Sequence, residues 1–320
     1  MAKKDDLVAA FECREPAGSV PIWEIHFHCW EQASGRHYMG WPEYETLSQA
    51  QRDDGLSRNA DIIVEVAEDL HFAGVSIPDA PWDCYYTLPA EDRLRLALLL
   101  AERNQDKFMV IANCPGILGM PDAHEYVDFA LKLFDAPEDI DERARQQLDN
   151  GLETAKRLRD AGVGAVYSGA DIADNRGPWF SPEQMERHIY PYLHEWTSAI
   201  REMGMFVIQH TDGDISPLLP ELSAAGLHAV QAIDPVAGMN IAEAKQAVRG
   251  KLCVCGNVDC GLLILGPNDR IYESTRDIIE SCKPGGGFVL SASNAVVVET
   301  PFEHYREVIR AWEDAGSYSQ

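Results

Sequence analysis

Glu24, His26 and His28 occupy alternate positions in the run from Val20 to Trp30. Alternation is the period of a β-strand, whose successive side chains point to opposite faces. The run predicts a strand over residues 20–27, with a carboxylate and two imidazoles on one face and Trp23, Ile25 and Phe27 on the other. Buried imidazoles need partners, so the polar stripe is either a set of mutually bonded histidines or a site for a ligand or a proton transfer. A second group, His210, Thr211 and Asp212, ends the apolar run 205–208. Its i, i+2 spacing lets an imidazole and a carboxylate flank one point, which suits a hard or borderline metal or an acid–base dyad. The alternative is a carboxylate that only orients the histidine or caps the next helix.

These residues need a frame that brings strand ends together. Short apolar runs at 20–27, 74–77, 108–112, 165–168, 205–209, 229–232, 252–255 and 288–290 alternate with amphipathic segments at 59–73, 91–104, 122–134, 138–161, 182–203, 216–225, 241–248, 269–281 and 302–314. Helix starts and stops are marked by Ser181-Pro182 and by Gly162, Gly204, Gly226 and Gly250. Eight strands alternating with helices predict a (β/α)8 TIM barrel, whose function sits at the C-terminal mouth. Besides the two groups above, the predicted mouth carries Asp79, Asn113, Asp171, Asp174, Asp234, Asn257, Asp259 and Asn294. Taken singly, such residues are common turn and cap formers. Together they mark a site.

With 320 residues, the chain suits one large α/β domain, 1–320, with an N-terminal extension and a long loop after the first strand. A net charge of −25 disfavours nucleic acid and anionic membranes, both of which are bound by basic patches. The eight cysteines show no CxxC or zinc-finger spacing, and neither a signal peptide nor a membrane span is evident, so reduced thiols and a cytoplasmic location are expected. Cys255, near a strand end, is the thiol to consider as an extra ligand; free cysteines are more often small buried apolar groups. The long loop, residues 32–54, carries Tyr38, Trp41 and Tyr44, and Trp82, Tyr85 and Tyr86 follow Asp79. These aromatics could shield a planar substrate or pack the loops. Gly285 to Gly287 precede a strand and lack the lysine of a phosphate loop, so they predict a tight turn.

Several segments together resemble the uroporphyrinogen decarboxylase superfamily, including its corrinoid-dependent methyltransferase branch: Val20-Pro21-Ile22-Trp23, residues 73–79, Phe180-Ser181-Pro182 with Tyr190-Pro191, His210 to Gly213, Cys255 to Asp259, and residues 285–290 continuing to Glu299-Thr300-Pro301. The resemblance implies a (β/α)8 barrel and a homodimer. Decarboxylases of this family place arginines after the first strand to hold a polyanionic tetrapyrrole. This chain has His26 at the first of those positions and no Lys or Arg from Pro16 to Gly35. Asp79 matches the decarboxylase aspartate, and Asn294 stands where that enzyme has a histidine. The thiol-methylating branch holds zinc with a His-x-Cys strand end and a later cysteine; here Asp212 and Asn294 replace the two cysteines.

Such a hard donor set suits an ether or alcohol oxygen better than a thiol. The resemblance is therefore to the demethylating group. It implies transfer of a methyl group from a small O-methyl or N-methyl donor to a cobalamin carried by a corrinoid protein. His210, Asp212 and Asp79 would be catalytic. Glu24, His26, His28, Asn294, Trp41 and Trp82 would bind substrate, and His210, Asp212, His28 and Cys255 would hold zinc if a metal is used. A decarboxylase of a smaller acid and a non-catalytic binding barrel are the alternatives.

Overall fold

In the computed structural model, which describes residues 4–78 and 88–318, the apolar runs become strands at β1 (Gly74–Ser76), β2 (Met109–Asn113), β3 (Ala165–Ser168), a small hairpin of β4 (Ala173–Asp174) and β5 (Gly177–Pro178), β6 (Phe206–His210), β7 (Ala229–Gln231), β8 (Cys253–Val258) and β9 (Phe288–Ala292). Seven of these form one parallel sheet in the order β1-β2-β3-β6-β7-β8-β9. Neighbours in the sheet are consecutive in the chain apart from the hairpin, and helices connect them. This is a curled TIM-barrel-like sheet. Buried on both faces, its strands are rich in Val, Ile, Ala and Leu, as parallel strands covered by helices must be.

The predicted first strand takes a different form. Residues 20–28 make isolated bridges rather than a continuous ladder, and Ile22 bridges in parallel both to Phe72 and to Leu290. The Ala73 N–H donates to Ile22 O (2.8 Å), while Trp23 N–H donates to Leu290 O (3.2 Å) and Leu290 N–H to Pro21 O (2.9 Å). The segment thus joins the two ends of the sheet and completes the ring. Pro21 brings no N–H, and the backbone bends at Ile25. After the bend only the β9 side is paired, through His28 N–H to Val296 O (2.8 Å) and Val296 N–H to His26 O (2.9 Å).

The bend overturns the expected alternation. Trp23 Nε1–H donates to Ser76 Oγ (2.9 Å), and its ring lies 6.3 Å from that of Tyr167 on β3. Glu24 instead meets Tyr305 of the helix Phe302–Ala315. Phe27 packs on Phe72 and on the same Tyr305, at 5.3 and 5.0 Å between centroids. The N-terminal extension forms a helix, Lys4–Phe11, that was not foreseen. It covers the lower end of the barrel, with Leu7 beside Trp23 and Ile111 at Gly74 and Phe11 on Phe206 at 5.4 Å.

The loop 32–54 is largely helical, with helices at Trp30–Ser34 and Trp41–Tyr44 and the start of Gln49–Asp69. That last helix begins ten residues before the expected Asn59, because its first turns are polar and show no apolar period. Ser48 starts it, its N–H donating to Gln51 Oε1 at 3.0 Å. Tyr38 and Tyr44 are buried, Tyr38 stacked on Trp30 and Tyr44 beneath Arg52. They pack the loop. The expected helix 182–203 is interrupted by a π turn, Met185–Ile189. Pro191 has no N–H for the preceding turn, and the chain widens so that Tyr190 N–H reaches Met185 O. Among the described residues no helix is long and apolar enough to cross a membrane.

One close contact sets a wall of the mouth. A Cβ on Gly151, in the helix Pro137–Asp160, would lie 1.9 Å from Pro115 O in the loop after β2, and Cys114 Sγ approaches Gly151 O at 3.2 Å. Gly151→Ala should therefore destabilise the protein by about 1–3 kcal/mol through overpacking, despite alanine's better helix propensity. Urea unfolding tests this; unchanged or increased stability would show that the helix is free to move off the loop.

Candidate functional site

A cavity of about 380 Å³ opens at the C-terminal mouth. The first-strand segment lines it with Ile25 and His26, the ends of β2 and β3 with Asn113, Tyr167 and Ser168, the loop after β3 with Asp171, and the end of β6 with His210. Parallel strands all deliver their C-terminal ends to one face, which is why residues so distant in sequence converge. His26 and His210 share the cavity. Burial, reinforced by His28 and His210, pushes the His26 imidazole down to about 3, so it is neutral at pH 7.

His210, Asp212 and Asp171 form the chemical centre. His210 Nε2 lies 3.8 Å from Asp171 Oδ1 and 3.8 Å from Asp212 Oδ1. One donor atom from each residue falls within 4.8 Å of the other two, and among the described residues this is the group of three that could hold a metal ion. The other imidazole nitrogen, Nδ1, is 2.5 Å from Gln231 Oε1 on β7. Gln231 Nε2 donates to Ala292 O (3.2 Å) and Ser293 O (3.4 Å), so its oxygen faces the ring and must accept. Nδ1 therefore carries a proton, and Nε2 is the nitrogen that faces the carboxylates.

The carboxylates are held as firmly. Asp212 N–H donates to Asp171 Oδ1 (2.8 Å), and Asn294 Nδ2–H donates to Asp212 Oδ2 (2.7 Å). The loop carrying Asp171 is pinned by Ile172 N–H to Thr211 Oγ1 (3.0 Å), Gln209 Nε2–H to Ala170 O (2.9 Å) and Met120 N–H to Asp171 O (2.7 Å). Burial pushes the Asp212 carboxyl up to about 6, with Asp171 and Asp234 adding to the rise and His210 and Asn294 opposing it. Two acids beside one imidazole form a centre that attracts cations.

The sequence profile of the uroporphyrinogen decarboxylase (URO-D) family matches residues 122–315, more than half of the chain. The chain belongs to the uroporphyrinogen decarboxylase family. A uroporphyrinogen decarboxylase from Syntrophotalea carbinolica is 25% identical over 177 residues, 55% of this chain, and the match spans about half of that relative (49%). A methyltransferase from Methanosarcina mazei has the same fold, with a TM-score of 0.72 at 15% identity, covering 98% of this chain and 99% of that one.

Within this family fold the remaining expected residues are distributed unevenly. Asp79 and Trp82 lie outside the described residues, as does the side chain of Trp41. His28 is buried with its ring 6.1 Å from that of His26, but it is not part of the Asp–His–Asp group. Cys255 is fully buried beside Cys253 and is likewise outside that group. Alternation puts both thiols on one strand face, away from the centre. Asn294 meets Asp212 directly, so it orients a carboxylate. Asp171, read from the sequence only as one of many mouth residues, is at the centre. Gln231 was not singled out; a polar residue inside the apolar run 229–232 was the available signal.

Glu24 is the clearest displacement. It accepts hydrogen bonds from Ala292 N–H (2.9 Å) and Tyr305 O–H (2.8 Å), and it does not line the cavity. Burial pushes its carboxyl up to about 8 although both hydrogen bonds pull it down. A carboxyl raised in the folded state binds its proton more tightly there than in the unfolded chain. Its contribution to stability is full below the ordinary carboxyl range and is lost as pH rises through about 8. Glu24→Gln, which can keep both partners, should match the wild type near pH 5 and melt at a higher temperature by pH 9. A constant difference in melting temperature across that range would refute the assignment.

Proposed function

We propose that this protein moves a methyl group from a small O-methyl or N-methyl donor to a cobalamin carried by a partner protein. The observation that carries the reading is the Asp171–His210–Asp212 group, with His210 oriented by Gln231 so that Nε2 faces both carboxylates, and with His210 and Asp171 lining the cavity. The methyltransferase from Methanosarcina mazei, of like fold, supports it. The lack of any Lys or Arg from Pro16 to Gly35 argues against a tetrapyrrole with many carboxylates.

The three residues fit a divalent ion, zinc by preference. Tetrahedral donors about 2.1 Å from one ion lie about 3.4 Å apart, and the 3.8 Å separations need only a small closure to reach that distance. Such an ion, when bound, supplies Lewis acidity toward the oxygen or nitrogen that loses the methyl group. His210 is held in the ligating tautomer by Gln231, and Asn294 keeps the Asp212 oxygens turned toward the centre. His26, neutral at pH 7, gives or accepts a hydrogen bond at the substrate without adding charge. Ile25, Leu118 and Tyr167 enclose the apolar part of the donor and exclude water.

Zinc titration should show one tight site in the wild type, lost in His210→Ala and Asp171→Asn. Gln231→Leu, which removes the partner of Nδ1, should weaken it by about 10–100-fold. Equal zinc uptake by all four proteins would remove the assignment. The reaction itself is tested with a reduced corrinoid protein and a panel of methoxylated aromatics and methylamines, reading methylcobalamin absorbance. No methylation with any donor, or carbon dioxide release from an acid in its place, would overturn the transferase reading in favour of a decarboxylase.

A further inference from the structure

The cavity wall also carries a cation. Arg143, on the helix Pro137–Asp160, is the one lysine or arginine among the described residues lining it. Its guanidinium stands over the Phe129 ring at 5.2 Å and makes one side-chain hydrogen bond, from Nη2 to Glu125 Oε2 at 2.9 Å. A guanidinium carries five N–H donors in a planar fork and grips a carboxylate best through two of them at once. The single contact with Glu125 uses one. Arg143 is half exposed, and Glu125 itself lines the cavity, so the pair can open without disturbing the core.

Ile25, Leu118 and Tyr167 line the same space. A molecule filling it would meet apolar side chains, a metal-ligating group and a planar cation. Asp122 and Glu125 also line the wall, so no broad positive field draws anions in. Selection for an anion would have to come from direct contact with the fork. We propose that Arg143 recognises a carboxylate at the end of the methyl donor remote from the methylated atom, making the donor an acid with an apolar body. The assignment rests on the transferase reading for the methylated end only. Glu125 then acts as the resident counter-ion that the substrate carboxylate displaces.

The test uses two probes of one shape, a dimethoxybenzoate and the matching dimethoxybenzyl alcohol, titrated calorimetrically into wild-type protein, Arg143→Gln and Glu125→Gln. The wild type should bind the acid about tenfold or more tightly than the alcohol, as one charge-assisted pair allows. Arg143→Gln should bring the acid down to the alcohol and leave the alcohol unchanged. Glu125→Gln, which removes the competing carboxylate, should widen the preference. Equal binding of both probes by the wild type, an acid preference that survives in Arg143→Gln, or no binding of either probe would overturn the proposal. The same proteins assayed for methyl transfer separate the two claims. Acid binding through Arg143 without transfer would sink the transferase reading alone. Transfer indifferent to Arg143 would sink this inference alone.

Discussion

A parallel sheet of seven strands leaves a row of backbone donors and acceptors at each end, and residues 21–28 bridge the two. Ile22 gives its carbonyl to Ala73, while Pro21 and Trp23 exchange hydrogen bonds with Leu290. Neither edge is left exposed, which is the usual way in which barrels avoid pairing with other chains. The closure also sets the site. The bend at Ile25 turns Glu24 and Phe27 outward to Tyr305 while bringing Ile25 and His26 to the cavity.

The centre opposite is built from partners rather than from reactive groups alone. Gln231 decides which nitrogen of His210 carries the proton, and its own amide is oriented by the carbonyls of Ala292 and Ser293. Asp171 and Asp212 share a backbone hydrogen bond, and Asn294 holds the far oxygen of Asp212. Four barrel strands or their loops, β3, β6, β7 and β9, thus contribute to one arrangement. A site on rigid strand ends loses little order when it binds, and that is what makes the mouth of this fold suitable for catalysis.

Membership of the uroporphyrinogen decarboxylase family fixes the scaffold but leaves the chemistry to the mouth. The differences lie in charge and softness of ligand. The first-strand segment brings imidazoles and no Lys or Arg, and the group at the end of β6 offers oxygen and nitrogen donors. Such a donor set suits hard or borderline atoms.

The barrel and the pairing of His210 with Asp212 at a strand end were legible in the sequence, because buried parallel strands must be short and apolar and their polar ends then stand out. The period-2 reading failed at one point, where the bend at Ile25 broke it and sent Glu24 to a buried hydrogen-bonded niche. A place near a strand end drew attention to Cys255, which lies beside Cys253 and outside the Asp–His–Asp group. Asp171 and Gln231 could not be ranked from sequence, since a loop aspartate and a strand-end glutamine have no period of their own. Only the tertiary structure decided their roles. The ring brings β3, β6 and β7 side by side, and the approach of Asp171 and Gln231 to the two nitrogens of His210 depends on that adjacency across gaps of dozens of residues in the chain.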